Sequence, residues 1–320
     1  MTHDERGTEI PYDEAIGAVG AACLGELGWV GPSGAYALAV VPLVLGGRPA
    51  VALPYAWADA LRPLADAGTA VLTVTDPRMT GPRWRSCTLA GRVTVVDDID
   101  GGVVLEQLLD QELRKHPPSR VLVDSPLLRR ENWWYVPRVL VQLEVTRCDP
   151  IPPRTDPTGQ ALLVSSGTDG VARAGVVAVR DWAARPLPLR AVDGQVLPMA
   201  EGPSRTEDGG APARRGSGSA ASRTGGDGAT TSPHAVAGGP STAALLATDA
   251  SVPDLERRPE HLLVGHWRAS GSGGELDVVA GPEGAPALPG PLGLRARWRR
   301  QRDLERACRA GIAAAVGRLR

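Results

Sequence analysis

Apolar positions recur at helical spacing in residues 13–28, DEAIGAVGAACLGELG, with Ile16, Val19, Cys23 and Leu27 on one face, and the pattern predicts a helix opened by Asp13. The period then changes. Leu27–Val30 reads as a short strand closed by the turn Gly31-Pro32-Ser33-Gly34, Tyr36–Leu45 as a second strand, and Arg48–Tyr55 as a third after Gly46-Gly47. Their near-continuous apolar runs predict strands covered on both faces or closed into a barrel. Residues 57–67 read as a helix ended by Gly68, and Thr69–Asp76 and Arg85–Val96 as further strands. The stretch 97–116 predicts a helix, with Asp97, Asp98 and Asp100 at its positive end, Leu105, Leu109 and Leu113 as its stripe, and Pro117-Pro118 as its stop. Residues 133–146 form a long strand or hairpin, 261–280 two strands, and 294–320 a helix with Leu304, Cys308, Ile312, Val316 and Leu319 on one face.

The pattern partly repeats. Thr69-Ala-Val-Leu-Thr-Val-Thr-Asp76 recurs as Thr242-Ala-Ala-Leu-Leu-Ala-Thr-Asp249, and Leu89-Ala-Gly91 recurs downstream as Leu263-Val-Gly265. A fainter echo links Trp57-Ala-Asp-Ala-Leu-Arg-Pro63-Leu64 with Trp182-Ala-Ala-Arg-Pro186-Leu187. Matched order and spacing point to a degenerate tandem repeat. Between its parts lies 201–240, where thirty of forty residues are Gly, Ser, Pro, Thr or Ala. Such a segment buries too little apolar surface to offset its ordering entropy. The expected organisation is a flexible N-terminus (1–14), a first barrel domain (15–150), a degenerate second barrel-like half (151–192 and 241–320) and a disordered insertion (193–240).

Composition narrows the chemistry. With 42% apolar and 22% charged residues over 320 positions, a sizeable core is available, and a net charge of −1 supplies no global field for nucleic acid or an anionic membrane. There are 34 arginines and one lysine, Lys115, a skew that looks like codon bias in a G+C-rich genome; Lys115 follows Arg114, so no Gly-Lys phosphate loop exists. Cys23, Cys87, Cys148 and Cys308 lie too far apart for metal-ligand or redox spacing and read as a reduced set. MTHDERGTEI lacks the pattern of a signal peptide, and the apolar run Tyr36–Leu45 is too short to span a bilayer. The expectation is a cytoplasmic protein without a membrane partner. No Gly-x-Ser-x-Gly, His-Glu-x-x-His or Cys-His pairing supports a hydrolase.

The order of a helix, a strand ending in Gly-Pro-Ser-Gly, Val-Val-Pro-Leu, a Gly-Gly hairpin, a short helix, TAVLTVTD, Gly-Arg-Val and Trp134-Tyr-Val-Pro-Arg-Val-Leu-Val141 resembles the pyridoxamine 5′-phosphate oxidase-like family over about 15–148. The resemblance implies a mainly β fold with flanking helices (α+β), an FMN-binding split β-barrel, here with a degenerate second half, and a homodimer or an intramolecular pseudo-dimer. It also implies an FMN-dependent oxidoreductase, with haem or a deazaflavin as alternative ligands. A further alternative on the same fold is a non-catalytic barrel serving protein interaction or regulation. Under the flavin reading Tyr55, Trp57 and Arg62 line the phosphate end, Arg83 and Arg85 neighbour it, and Trp134 and Arg138 border the ring or substrate. One departure stands out. Many members carry a Ser and a basic residue at the strand-to-helix junction, where this chain has Ala56-Trp57-Ala58.

Several residues have two readings. Trp133, Trp134 and Tyr135 either stack on a flat ligand or fill the barrel and cover a dimer surface. Arg138, in an apolar strand, needs an anionic ligand or a salt-bridge partner such as Glu144. Asp97, Asp98 and Asp100 fit helix capping better than a divalent cation. His261 and His266 point to opposite faces of a strand, which leaves haem ligation to one of them alone or to His116. The last helix holds nine arginines against Asp303 and Glu305 over 295–320, a net +7 that leaves −8 on the rest of the chain. A solvated arginine face is favoured there over a nucleic-acid partner.

Overall fold

The computed structural model describes residues 9–123, 133–167, 169–192, 197, 241–251, 255, 260–270, 272–286, 290 and 293–320. Of the expected flexible N-terminus (1–14), residues 1–8 lie outside them, whereas 9–14 are described and Tyr12 already opens α1; apart from Leu197, the expected insertion 193–240 also lies outside them. The first half runs α1 (Tyr12–Ala21), β1 (Gly25–Gly31), β2 (Gly34–Val40), β3 (Leu43–Leu45), β4 (Arg48–Pro54), α2 (Ala58–Ala67), β5 (Thr69–Val74), α3 (Pro77–Thr80), β6 (Cys87–Asp98), α4 (Leu109–Lys115), α5 (Pro117–Val123) and β7 (Arg138–Pro150). The second runs β8 (Gln160–Ser166), β9 (Ala172–Val179), β10 (Leu187–Ala191), β11 (Ser241–Thr248), β12 (Glu260–Ser270), β13 (Gly273–Ala280) and α6 (Leu294–Arg318).

The first seven strands form an antiparallel sheet in the order β2-β1-β5-β6-β7-β4-β3. The other six close into a barrel, read from β9 as β9-β8-β11-β12-β13-β10, with β10 pairing back onto β9. The two orders coincide strand for strand apart from β3. The fold is mainly β with flanking helices, of split-barrel type.

The sequence echo falls on equivalent strands and faces. In β5, Ala70, Leu72 and Val74 point into the first core while Val71 points out; in β11, Ala243, Leu245 and Ala247 point into the second core while Ala244 and Leu246 point out. The outward residues meet in a third cluster with Ala37, Leu162, Val164 and Val176, and this cluster joins the halves. That is why these strands lack polar alternation: one face fills a barrel and the other fills the contact between barrels. The second echo is also structural. The ladder slips by one residue at Gly91 between β6 and β7, and again at Gly265 between β12 and β13. A Cβ at either glycine would lie 2.1 or 2.2 Å from the opposing carbonyl oxygen of Glu144 or Asp277, so the bulge admits only glycine. The third echo fails: Trp57 follows β4, whereas Trp182 precedes β10, the strand in the matching place.

Three local expectations are corrected. Helix α1 is capped by Pro11 and carries Asp13 inside its first turn, where it faces the helix dipole. The helix expected over 97–116 starts later, because β6 continues to Asp98, whose carboxylate accepts the N–H groups of Val103 and Val104. A π-helical turn at Val104–Leu108 follows, so the buried stripe is Val104, Leu108, Glu112 and Lys115, and Leu105 is exposed. On α6, Leu304, Cys308, Ile312 and Ala315 form the inner face, but Leu319 is exposed where the helix ends.

Candidate functional site

Strand β4 ends at Pro54 and passes through a single 3₁₀ turn, Tyr55–Trp57, into α2. A turn of this kind begins with backbone N–H groups that have no partner behind them. Here α6 lies in front of them. Cys308 of α6, which is fully buried, packs against Ala56 of this turn and faces those N–H groups. One turn further along, Gly311 lies so close that a Cβ there would be 2.4 Å from the Tyr55 carbonyl oxygen. Burial raises the Cys308 thiol above its ordinary value, opposed by the two N–H groups and the Arg138 guanidinium. Tyr55 is buried with its hydroxyl donating to Asp97 at 2.8 Å.

Beneath α6 lies a polar cluster that links α4 to the start of β7. Arg138 is 1% exposed; its guanidinium sits 3.8 Å over the Tyr135 ring and 3.5 Å from a Glu112 oxygen. The Tyr135 hydroxyl donates to that oxygen at 2.7 Å, and Ser119 does so at 2.9 Å. The Ser119 hydroxyl also lies 2.9 Å from His116 Nδ1. Burial by itself would raise the Glu112 carboxyl; Arg138, the two hydroxyls and His116 outweigh it and hold the group below its ordinary value. Burial and the neighbouring carboxylate raise the Tyr135 phenol. Among the described residues, Glu112 Oε2, Arg138 Nε and Trp134 Nε1 are buried without a hydrogen-bond partner.

The structure thus brings Tyr55, Trp134 and Arg138 of the expected site residues around one point, with Trp134 packed on Cys308 and Leu304. Trp57 shares the turn but is 41% exposed. Arg62 pairs with Asp59 one turn back on α2 at 2.8 Å, Arg83 is exposed, and Arg85 forms a two-point pair with Glu14 of α1. The partner of Arg138 is Glu112 rather than Glu144, because the π turn rotates Glu112 inward. Trp133 is exposed while the neighbours Trp134 and Tyr135 are both buried, so two consecutive members of the run, and not alternate ones, fill the interior. His261 is buried edge-on to Trp182, and His266, on the opposite face, is exposed. Among the described residues, no three His, Cys, Asp or Glu side chains gather as a metal site. No described helix is long and apolar enough to cross a membrane.

No protein-family model matches the chain, and no curated protein matches it significantly. Solved structures share parts of it. A conserved hypothetical protein, Rv2991 from Mycobacterium tuberculosis, matches at 14% identity and a TM-score of 0.32, over 46% of this chain and 88% of its own. A heme binding protein from Mycobacterium smegmatis matches at 18% identity and 0.29, over 45% of this chain and 55% of its own. A pyridoxamine 5′-phosphate oxidase-related, FMN binding protein from Nostoc punctiforme matches at 14% and 0.29, over 53% and 97%. Likenesses this loose carry no functional weight.

The flavin expectation is therefore tested on the residues themselves. A flavin phosphate at the junction needs the Tyr55 and Ala56 N–H groups and a cation, with an open volume between them. Cys308 and Gly311 fill that volume, and Arg138 is turned onto Tyr135 and Glu112. At Gly28 the two halves are in close contact, since a Cβ there would lie 2.6 Å from the Val164 side chain. With α6 seated, a flavin phosphate does not fit the junction.

Proposed function

We propose that this protein is a fused pair of split barrels that works by contact with another macromolecule, as an interaction or regulatory protein rather than a flavin-dependent oxidoreductase. The observation that carries this reading is the seat of α6 on the turn that a cofactor phosphate would need: Cys308 is fully buried against Ala56, and a Cβ on Gly311 would lie 2.4 Å from the Tyr55 carbonyl oxygen. The surface this reading assigns to contact is the exposed first turns of α6. Residues 294–300 are all exposed, Trp298 at 63%, within a stretch holding Arg295, Arg297, Arg299, Arg300 and Arg302. A basic helix end with an exposed indole suits an acidic protein surface. Four unpaired thiols, each shifted upward by burial, agree with work in the cytoplasm.

The test is the visible absorption spectrum of the purified full chain, before and after incubation with FMN or haem and desalting. No retained band is expected. A stoichiometric flavin band on the intact chain would overturn the reading. One observation keeps the oxidoreductase as the second reading: the N–H pair and Arg138 persist beneath α6, so a helix that lifts would uncover a phosphate cradle.

A further inference from the structure

A chain that spells 34 of its 35 fixed cations as arginine uses lysine once. Lys115, at the end of α4, is 6% exposed and lies far from any role as a surface charge. Its Nζ donates to the carbonyl oxygens of Val19, in the last turn of α1, and Pro42, before β3, at 2.7 and 2.5 Å. No carboxylate pairs with it among the described residues. Arginine cannot give up its proton in a protein, and lysine can. A neutral amine has two N–H bonds and one lone pair, so the two carbonyls already satisfy both donors of the uncharged form. An ammonium would hold a third N–H with no acceptor.

Lys115 also lines an open cavity of about 490 Å³, together with Cys23, Gln111 and Arg114. Gln111 is fixed by a two-way amide bond to the backbone of Val44, so that wall is rigid. Arg114 is exposed on the rim and supplies positive charge. The volume is within the ordinary range for small ligands. Burial pushes the Lys115 amine down to about 8, with Arg114 adding slightly and Cys23 opposing.

We propose that this cavity is a carbonyl-reactive site, in which Lys115 condenses with a small aldehyde whose carboxylate is held by Arg114. The amine nitrogen adds to the carbonyl carbon, the carbinolamine loses water, and a C=N bond forms; both amine hydrogens leave with the carbonyl oxygen, and no oxidant or reductant takes part. The site is separate from the junction under α6, and its failure would leave the interaction reading untouched.

The test uses the intact full-length protein at neutral pH with glyoxylate and cyanoborohydride, which reduces the imine to a stable secondary amine. Propanal is the uncharged control. Because Lys115 is the only lysine, peptide mass spectrometry has one side chain to find besides the chain's α-amino group. Glyoxylate is expected to label Lys115 at least about tenfold faster than a blocked lysine amide in solution. It is also expected to outpace propanal, with that preference lost in Arg114→Gln, an exposed change that leaves the fold intact. An unlabelled Lys115 beside a labelled α-amino group, or labelling no faster than the free amide, overturns the site. Equal rates for glyoxylate and propanal overturn the anionic substrate class.

Discussion

Arg138 and Glu112 show how one buried pair sets the demands on its neighbours. The 3.5 Å separation is long for an ion pair, and Tyr135 and Ser119 supply hydrogen bonds that the arginine does not. Removing one partner leaves an uncompensated buried charge. Glu112→Gln should therefore destabilise the protein by roughly 3–5 kcal/mol at neutral pH, read as a drop in denaturant midpoint. The sign of its pH dependence follows from the lowered Glu112 value. The stabilisation is complete above the ordinary carboxylate range and fades as pH falls through the lowered folded value. Over that acid interval the native chain should lose more stability than Glu112→Gln, which has no carboxylate to protonate. Arg138 was legible as a charge in need of a partner. The identity of that partner was not, because a π turn moves Glu112 from the flank of the leucine stripe to its centre.

At the scale of elements, α6 behaves as a plug. Its apolar stripe and its small residues both contribute: Cys308 and Gly311 let the helix approach the backbone of Tyr55–Trp57, which a larger side chain would prevent. Gly311→Val should lift the C-terminal turns, since its Cβ would meet the Tyr55 carbonyl at 2.4 Å. The expected result is a Cys308 that reacts with a thiol reagent many times faster than in the native chain, with far-ultraviolet circular dichroism of the strands preserved. Flavin retained by this variant and absent from the native chain would favour the second functional reading. An apolar face on the last helix was visible in the sequence. Its seat on the expected phosphate junction was not, since no local pattern says which distant turn a helix will cover.

At the scale of the molecule, the two halves are locked by polar groups that treat them as equivalents. Thr75 and Thr248, matched in the repeat, both meet Arg154: its Nη2 donates to Thr248 Oγ1 at 2.6 Å, its Nε lies 3.5 Å from Thr75 Oγ1, and its backbone N–H donates to the Thr75 carbonyl at 2.8 Å. The same guanidinium pairs with Glu26 of β1 at 3.0 Å. Asp76 and Asp249, the next matched pair, are bridged by Arg78 at 2.6 and 2.9 Å. Arg154→Met leaves the buried Glu26 carboxylate without its cation, with the Thr73 and Thr75 hydroxyls still donating to it, and should cost about 3–5 kcal/mol, with denaturation turning from one transition into two as the halves uncouple. Gly28→Leu, which would drive a side chain into Val164, should do the same without touching a charge. Because each half already covers the other's outward strands, the full chain should sediment as a monomer at micromolar concentration, and a stable dimer would contradict that.

The order and type of most strands, the two glycine bulges and the correspondence of β5 with β11 were fixed by local information: apolar runs of strand length, turn residues between them, and glycine where the backbone comes closest. Those signals act over a few residues and survive in a single sequence. What only the tertiary structure decided was the use of each exposed-looking group. Arg62 and Arg85 were taken by neighbours on α2 and α1, Arg138 by a glutamate from another helix, and the turn at Tyr55 and Ala56 was covered by a cysteine some 250 residues downstream in the chain. Hydrogen bonds and ion pairs are satisfied by whatever the fold brings within about 3 Å, and that proximity is a property of the whole chain and not of any segment.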